Sequence, residues 1–251
     1  RPSGLFTNSL GGLGTLGKAG AITVSTSQLV MTNGARIDTT TQTAGRGGDA
    51  TIIAGDTIFI SGKRPTPAIE IDLFGLGGLS SGIFTRTVGQ TPDSGSGGNI
   101  TLTAVQSVTI NDGATISASS TGPGNAGNIS INAGQQFDLV GTATNKSSIT
   151  TEATQASGGN IDIRAIDRIH FLNSNISTSV LGAEGSGGNI FIDPKVVILE
   201  GSNVTARAVE GAGGNITFVT PLFLADSAST VSAASERGLS GTVTIQSPTS
   251  N

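Results

Sequence analysis

The chain has 251 residues and carries little charge: 12% charged residues, a net charge of −4, one His, and no Cys, Trp or Tyr. With 38 Gly but only 8 Pro and no G-X-Y period it is not collagen. The missing Cys excludes a disulfide scaffold and thiolate chemistry while leaving the compartment open. The acidic balance offers no basic stripe for a nucleic-acid backbone, and no apolar run approaches the roughly 20 residues of a membrane span.

Taken from the N-terminus, the first element is Ser3-Gly4-Leu5-Phe6-Thr7-Asn8, which matches Ser81-Gly82-Ile83-Phe84-Thr85-Arg86 and reads as the last strand of a coil already under way. The chain starts at Arg1 without Met or a signal peptide, and residues 1–251 read as a single segment of a longer protein. A Leu/Gly run, Leu10-Gly11-Gly12-Leu13-Gly14-Thr15-Leu16-Gly17, follows.

Gly20-Ala21-Ile22-Thr23-Val24 then opens a phrase that returns to the end of the chain. It recurs at Gly48-Asp49-Ala50-Thr51-Ile52 and at Gly98-Asn99-Ile100-Thr101-Leu102. The next copies are Gly127-Asn128-Ile129-Ser130-Ile131, Gly159-Asn160-Ile161-Asp162-Ile163 and Gly188-Asn189-Ile190-Phe191-Ile192. The last are Gly214-Asn215-Ile216-Thr217-Phe218 and Gly241-Thr242-Val243-Thr244-Ile245. The starts are 28, 50, 29, 32, 29, 26 and 27 residues apart. Such a period is that of a solenoid, whose units bury their apolar faces only by stacking.

Each unit reads as three short strands. In residues 97–126 these are Ile100-Thr101-Leu102, then Val108-Thr109-Ile110 ended by the turn Asn111-Asp112-Gly113, then Ile116-Ser117-Ala118 before the breaker Gly122-Pro123-Gly124-Asn125. Second strands elsewhere are Leu29-Val30-Met31, Ile58-Phe59-Ile60, Phe137-Asp138-Leu139, Ile169-His170-Phe171, Val196-Val197-Ile198 and Leu222-Phe223-Leu224. Period-2 alternation turns the outer members of each triplet inward. Dense Gly and β-branched residues without 3–4 spacing exclude helices. The expectation is an all-β fold: a right-handed parallel β-helix of three short strands per coil and about eight coils, roughly 40 Å long.

The combination Gly-Gly-Asn-Ile-x-Ile, Asn/Asp-Gly-Ala-x-Ile-Ser and Gly-x-Gly-Asn-Ala-Gly-Asn-Ile, closest over Asn111 to Ile131, resembles the large filamentous-haemagglutinin-like exoproteins of the cyanobacterial type. The resemblance spans about residues 19 to 247. It implies a β-helical shaft, two-partner secretion through an outer-membrane protein, and adhesion or display at the cell surface.

The Asn series Asn99, Asn128, Asn160, Asn189 and Asn215 occupies one corner of successive coils. It reads as a structural ladder, with the amides buried and bonded between coils. The Gly before each Asn supplies either positive φ or close approach. Calcium repeats need Asp in this loop and only Asp49 supplies one, so no metal and no cofactor are expected.

The first-strand outward file, mostly Thr, is broken by Asp162 and Phe191 and reads as a solvated face. Asp138 and His170 fall on the outer face of the second strand in successive coils, about 5 Å apart. They are the best catalytic candidates, with Asp162 or Asp167 as a second carboxylate, set against a plain surface pair.

The period breaks once, by a 63–80 insertion between the second and third strands of one coil. Its apolar residues Ile69, Ile71, Leu73, Phe74, Leu76 and Leu79 form a candidate interaction loop, or a loop folded back over the shaft.

The leading expectation is a non-enzymatic structural shaft, secreted or on the cell surface, with self-association, other surface proteins or glycans as partners. The alternative is a carbohydrate-active enzyme or carbohydrate-binding β-helix on the same fold.

Overall fold

The computed structural model describes residues 3–9, 17–64, 80–182 and 185–247, and its regular structure is entirely β. Three sheets, all of parallel strands, wind about one core as a β-helix. The first sheet stacks Ile22–Thr26, Ala50–Ala54, Ile100–Ala104, Ile129–Asn132, Ile161–Arg164, Ile190–Asp193, Ile216–Val219 and Val243–Gln246. The second stacks Leu29–Met31, Thr57–Ser61, Ser107–Asn111, Gln136–Val140, Arg168–Leu172, Val196–Glu200 and Leu222–Ala225. The third stacks Gly4–Phe6, Arg36–Asp38, Gly82–Phe84, Thr115–Ser117, Ser147–Thr150, Ser174–Ser177, Asn203–Thr205 and Thr230–Ser232. Gly4–Phe6 pairs with Arg36–Asp38, so the chain does enter on a third strand.

Alternation is what closes the bore. Ile100, Leu102, Val108, Ile110, Ile116 and Ala118 all point inward and are buried, and the same columns continue coil after coil. Phe137 and Phe171 meet edge to face with ring centres 6.1 Å apart, filling the second-sheet side of the core. Corners between the second and third sheets use left-handed residues, among them Asn33, Asp112 and Asn173 at φ 55°, 53° and 44°.

Two second strands sit one residue away from the expected register. Val197 and Leu199 are the inward pair of Val196–Glu200, paired with Ile169 and Phe171, and Ile198 points out. In the last coil Phe223, not Leu222 and Leu224, lies in the inward column. A one-residue slip flips every side chain, and runs of consecutive apolar residues such as Val196 to Leu199 give alternation nothing to choose between.

The outer face of the third sheet is not uniformly open. Phe84 points outward from its strand yet is buried, with the Arg36 and Arg86 guanidiniums 4.0 and 4.8 Å from its ring centre. Arg36 also pairs with buried Asp38 at 3.0 Å. The apolar residues named in the 63–80 insertion, Ile69 to Leu79, lie outside the described residues. The insertion's feet are joined by an antiparallel bridge between Lys63 and Ser80.

Candidate functional site

Three surfaces carry the chemistry: the Gly-Asn corner, an ionic cluster on the second sheet, and a polar groove on the third.

At the Gly-Asn corner each Asn side chain reaches along the axis. Asn99 Oδ1 accepts the backbone N–H of Asn128 at 2.9 Å, Asn128 that of Asn160 at 2.8 Å, Asn160 that of Asn189 at 2.8 Å, and Asn189 that of Asn215 at 2.8 Å. Asp49 begins the series, accepting from Asn99 N–H at 2.7 Å, and Asn215 ends it on Thr242 N–H at 2.9 Å. Hence the Asn residues are bonded between coils, but their expected burial is wrong. Asn128, Asn160, Asn189 and Asn215 are exposed and Asn99 is half-buried. The reason is geometric: the backbone carbonyl of each Asn serves the preceding coil, as Asn160 serves Ile129 at 2.9 Å. The side chain therefore stays on the outer rim, where it can reach the N–H of the coil that follows.

The Gly before each Asn is required by proximity. A Cβ on Gly98, Gly127, Gly159, Gly188 or Gly214 would fall inside van der Waals contact with the carbonyl oxygen of the matching Gly one coil back. None of these five has positive φ. Inside the bore, buried Thr85, Thr151 and Thr178 donate their hydroxyls to the carbonyls of Gly98, Gly159 and Gly188, each at 2.6 Å. In the coils between and beyond, Ala118 and Ala206 stand in the same column.

A buried polar ladder does exist, at the corner between the second and third sheets. Gly34 and Gly113 N–H donate to Ser81 and Ser147 Oγ at 2.8 and 3.0 Å. Ser174 and Ser202 N–H donate to Ser202 and Ser229 Oγ at 3.1 and 3.2 Å. Here the earlier coil donates and the later coil accepts, the reverse of the Asn corner. The sequence carries the signal, a Ser immediately before or at the first position of most third strands.

On the second sheet Asp138 and His170 are paired across coils, as alternation requires. Asp138 Oδ1 takes Arg168 at 2.8 Å, with His170 Nδ1 3.8 Å away; His170 Nε2 lies 3.1 Å from Glu200 Oε2. The second carboxylate is thus Glu200, at a diagonal position. Asp162 and Asp167 lie elsewhere. Asp162 holds Arg164 in a two-pronged pair at 2.8 and 3.0 Å on the first sheet, and Asp167 holds Lys195 at 2.9 Å at a corner. The Asp162 hydrogen bond, helped by the Asp162 and Asp193 charges and opposed by partial burial, keeps Arg164 protonated above its ordinary range. Its guanidinium also covers the Phe191 ring at 4.7 Å.

The third-sheet groove, about 510 Å³, is lined by the outward residues of the later coils: Ser148, Thr150, Asn175, Ser177, Asn203, Thr205 and Thr230, with Glu152 and Arg207 as its charged members. Its side chains are partly self-satisfied: Asn203 Nδ2 donates to Asn175 Oδ1 at 3.1 Å and Thr150 Oγ1 to Ser117 Oγ at 3.2 Å. Such a surface can hydrogen-bond a polyhydroxylated chain laid along the axis.

Among the described residues no group of three or more His, Cys, Asp and Glu is arranged to hold a metal ion. The chain matches no protein-family model, no curated protein and no solved structure.

Proposed function

We propose that the chain is a non-enzymatic structural shaft, part of an adhesin-like exoprotein that is secreted or held at the cell surface and that displays or spaces adhesive parts. The observation that supports this most is repetition itself: the same Asn-to-backbone bond and the same Gly-to-Gly approach recur through the coils. A ladder repeated from coil to coil is a requirement of stacking, not of one site. The ionic cluster fits the same reading, because Asp138, Arg168, His170 and Glu200 are mutually engaged on an outer face. The likeness of the repeats to the filamentous-haemagglutinin group supports extracellular placement and delivery through an outer-membrane partner.

The test is incubation of the purified protein with neutral and acidic polysaccharides, scored by new reducing ends. No cleavage is expected. Cleavage that disappears in Asp138→Asn or Glu200→Gln would replace the shaft by an enzyme.

A second reading, glycan binding without cleavage, rests on the third-sheet groove. It expects retention on a glycan array that is lost in Asn175→Leu/Thr205→Leu while folding is kept.

A further inference from the structure

We infer that the third-sheet groove takes one class of ligand: a neutral β-linked polysaccharide in extended form, laid along the axis with one sugar per coil. The inference rests on the glycan-binding reading of that groove and adds the linkage and the direction of the bound chain.

The groove is a pair of files. The register sets Ser148, Asn175, Asn203 and Thr230 above one another, with Thr150, Ser177 and Thr205 in a second file beside them. Each coil therefore offers hydroxyl or amide groups at the same place, one rung of about 4.8 Å from the next, and the two files lie about 6.6 Å apart. A rung is close to the length of one hexose in an extended chain. A β-1,4-linked chain, which runs as a straight ribbon, keeps step with the files over several sugars. A coiled α-linked chain curves away from a straight file.

The open hydrogen-bonding groups lie in the middle of the groove. Asn203 Nδ2 donates to Asn175 Oδ1 at 3.1 Å. Both N–H groups of Asn175, and Oδ1 of Asn203, then have no hydrogen-bond partner among the described residues. Thr205 reaches the Ile176 carbonyl only at 3.4 Å, beyond the ordinary O–H···O length. Donors on one coil, an acceptor on the next and a weakly held hydroxyl beside them suit successive sugars, whose hydroxyls both donate and accept. Thr150 differs, because its hydroxyl is held in a ring with Ser117 and Ser119, each bond at 3.2 Å.

Other polymers fit this lining less well. No apolar side chain lines the groove, so a peptide finds no pocket for its side chains. Its charged members are one acid and one base, Glu152 and Arg207. Their formal charges cancel, which gives a polyanion no net attraction.

The test is calorimetric titration of the full chain with β-1,4-linked gluco-oligosaccharides of two to six sugars, and with α-1,4-linked ones of the same lengths. The groove spans four coils. Affinity for the β-linked series is expected to rise about threefold or more with each sugar up to four and then level off, as one added hydrogen bond per coil requires. The α-linked series is expected to bind about tenfold more weakly at four sugars, and added salt to change neither. Asn175→Asp keeps the acceptor for Asn203 and removes the free donors; Thr205→Val removes the hydroxyl at constant shape. Both should weaken the β-linked tetrasaccharide while melting stays unchanged, and Thr101→Val on the first sheet should do neither. Equal affinity for the two linkages, or no gain beyond two sugars, overturns this inference and leaves glycan binding standing. Binding that is indifferent to both groove variants places the ligand elsewhere and overturns it too. No binding to any glycan, here or on the array, overturns both.

Discussion

Oδ1 of Asn128 accepts the backbone N–H of Asn160, one coil further along, at 2.8 Å. The bond lies on the exposed rim, so water can replace either partner. Asn160→Ala is expected to lower unfolding free energy by about 0.5–1.5 kcal/mol, the net worth of one such bond. Asn160→Asp should cost less, because Asp49 already fills this role for Asn99. Urea unfolding of the two variants decides it; equal losses would remove the acceptor argument.

Gly159→Ala should be worse than Asn160→Ala. The added Cβ meets the Gly127 carbonyl, a backbone atom held by the stacking of two coils. Overpacking of this kind costs about 1–3 kcal/mol and at times more. The same urea series measures it, and a loss smaller than that of Asn160→Ala would show that the glycine column is not set by proximity.

The buried Ser ladder predicts the opposite contrast with the Asn rim. Ser202→Ala removes the acceptor of Ser174 N–H in a place water does not reach. A loss of about 1–3 kcal/mol is expected for the unpaired buried donor. Hydrogen exchange should quicken at Ser174 and be unchanged at Asn160.

Asp226 gives a pH signature. Its carboxylate accepts the Ser229 hydroxyl at 2.6 Å and the Gly201 N–H, and these bonds hold its pKa below the ordinary carboxylate value. A carboxylate with a lowered folded pKa binds fewer protons folded than unfolded. Its contribution is present above the unfolded pKa and is lost as pH falls through the folded one. Asp226→Asn should therefore flatten the acid side of the stability profile and leave its slope above neutral pH unchanged, as followed by thermal melts between acid and neutral pH.

First and third strands were legible because a polar residue separates the two inward members, as in Ile149-Thr150-Thr151, and Gly or a turn residue marks the ends. The second strands at 196–200 and 222–225 were not, since consecutive apolar residues erase the alternation and only pairing fixes the face, with Ile169 and Phe171 for the first and with Val197 and Leu199 for the second. The Asn series was legible as a ladder but not as a rim, because its depth depends on which backbone groups the neighbouring coil has already used. Glu200 escaped notice because its contact with His170 is diagonal, outside the pairing that sequence alignment of coils reveals. The third-sheet groove is a property of four stacked strands together, so no single repeat announces it.

The stacked hydrogen bonds of the three sheets run along the rod, and this gives the molecule an unequal mechanical response. Bending or compression loads every column at once. Tension on the two chain ends loads the terminal coil alone, since a coil touches only the ones beside it. The 29 residues from Gly98 to Gly127 rise by about 4.8 Å while wound and reach ~100 Å when drawn straight. Without a disulfide to lock any coil, a sustained pull would unreel the rod turn by turn and dissipate work at each one, as a spool does rather than a beam.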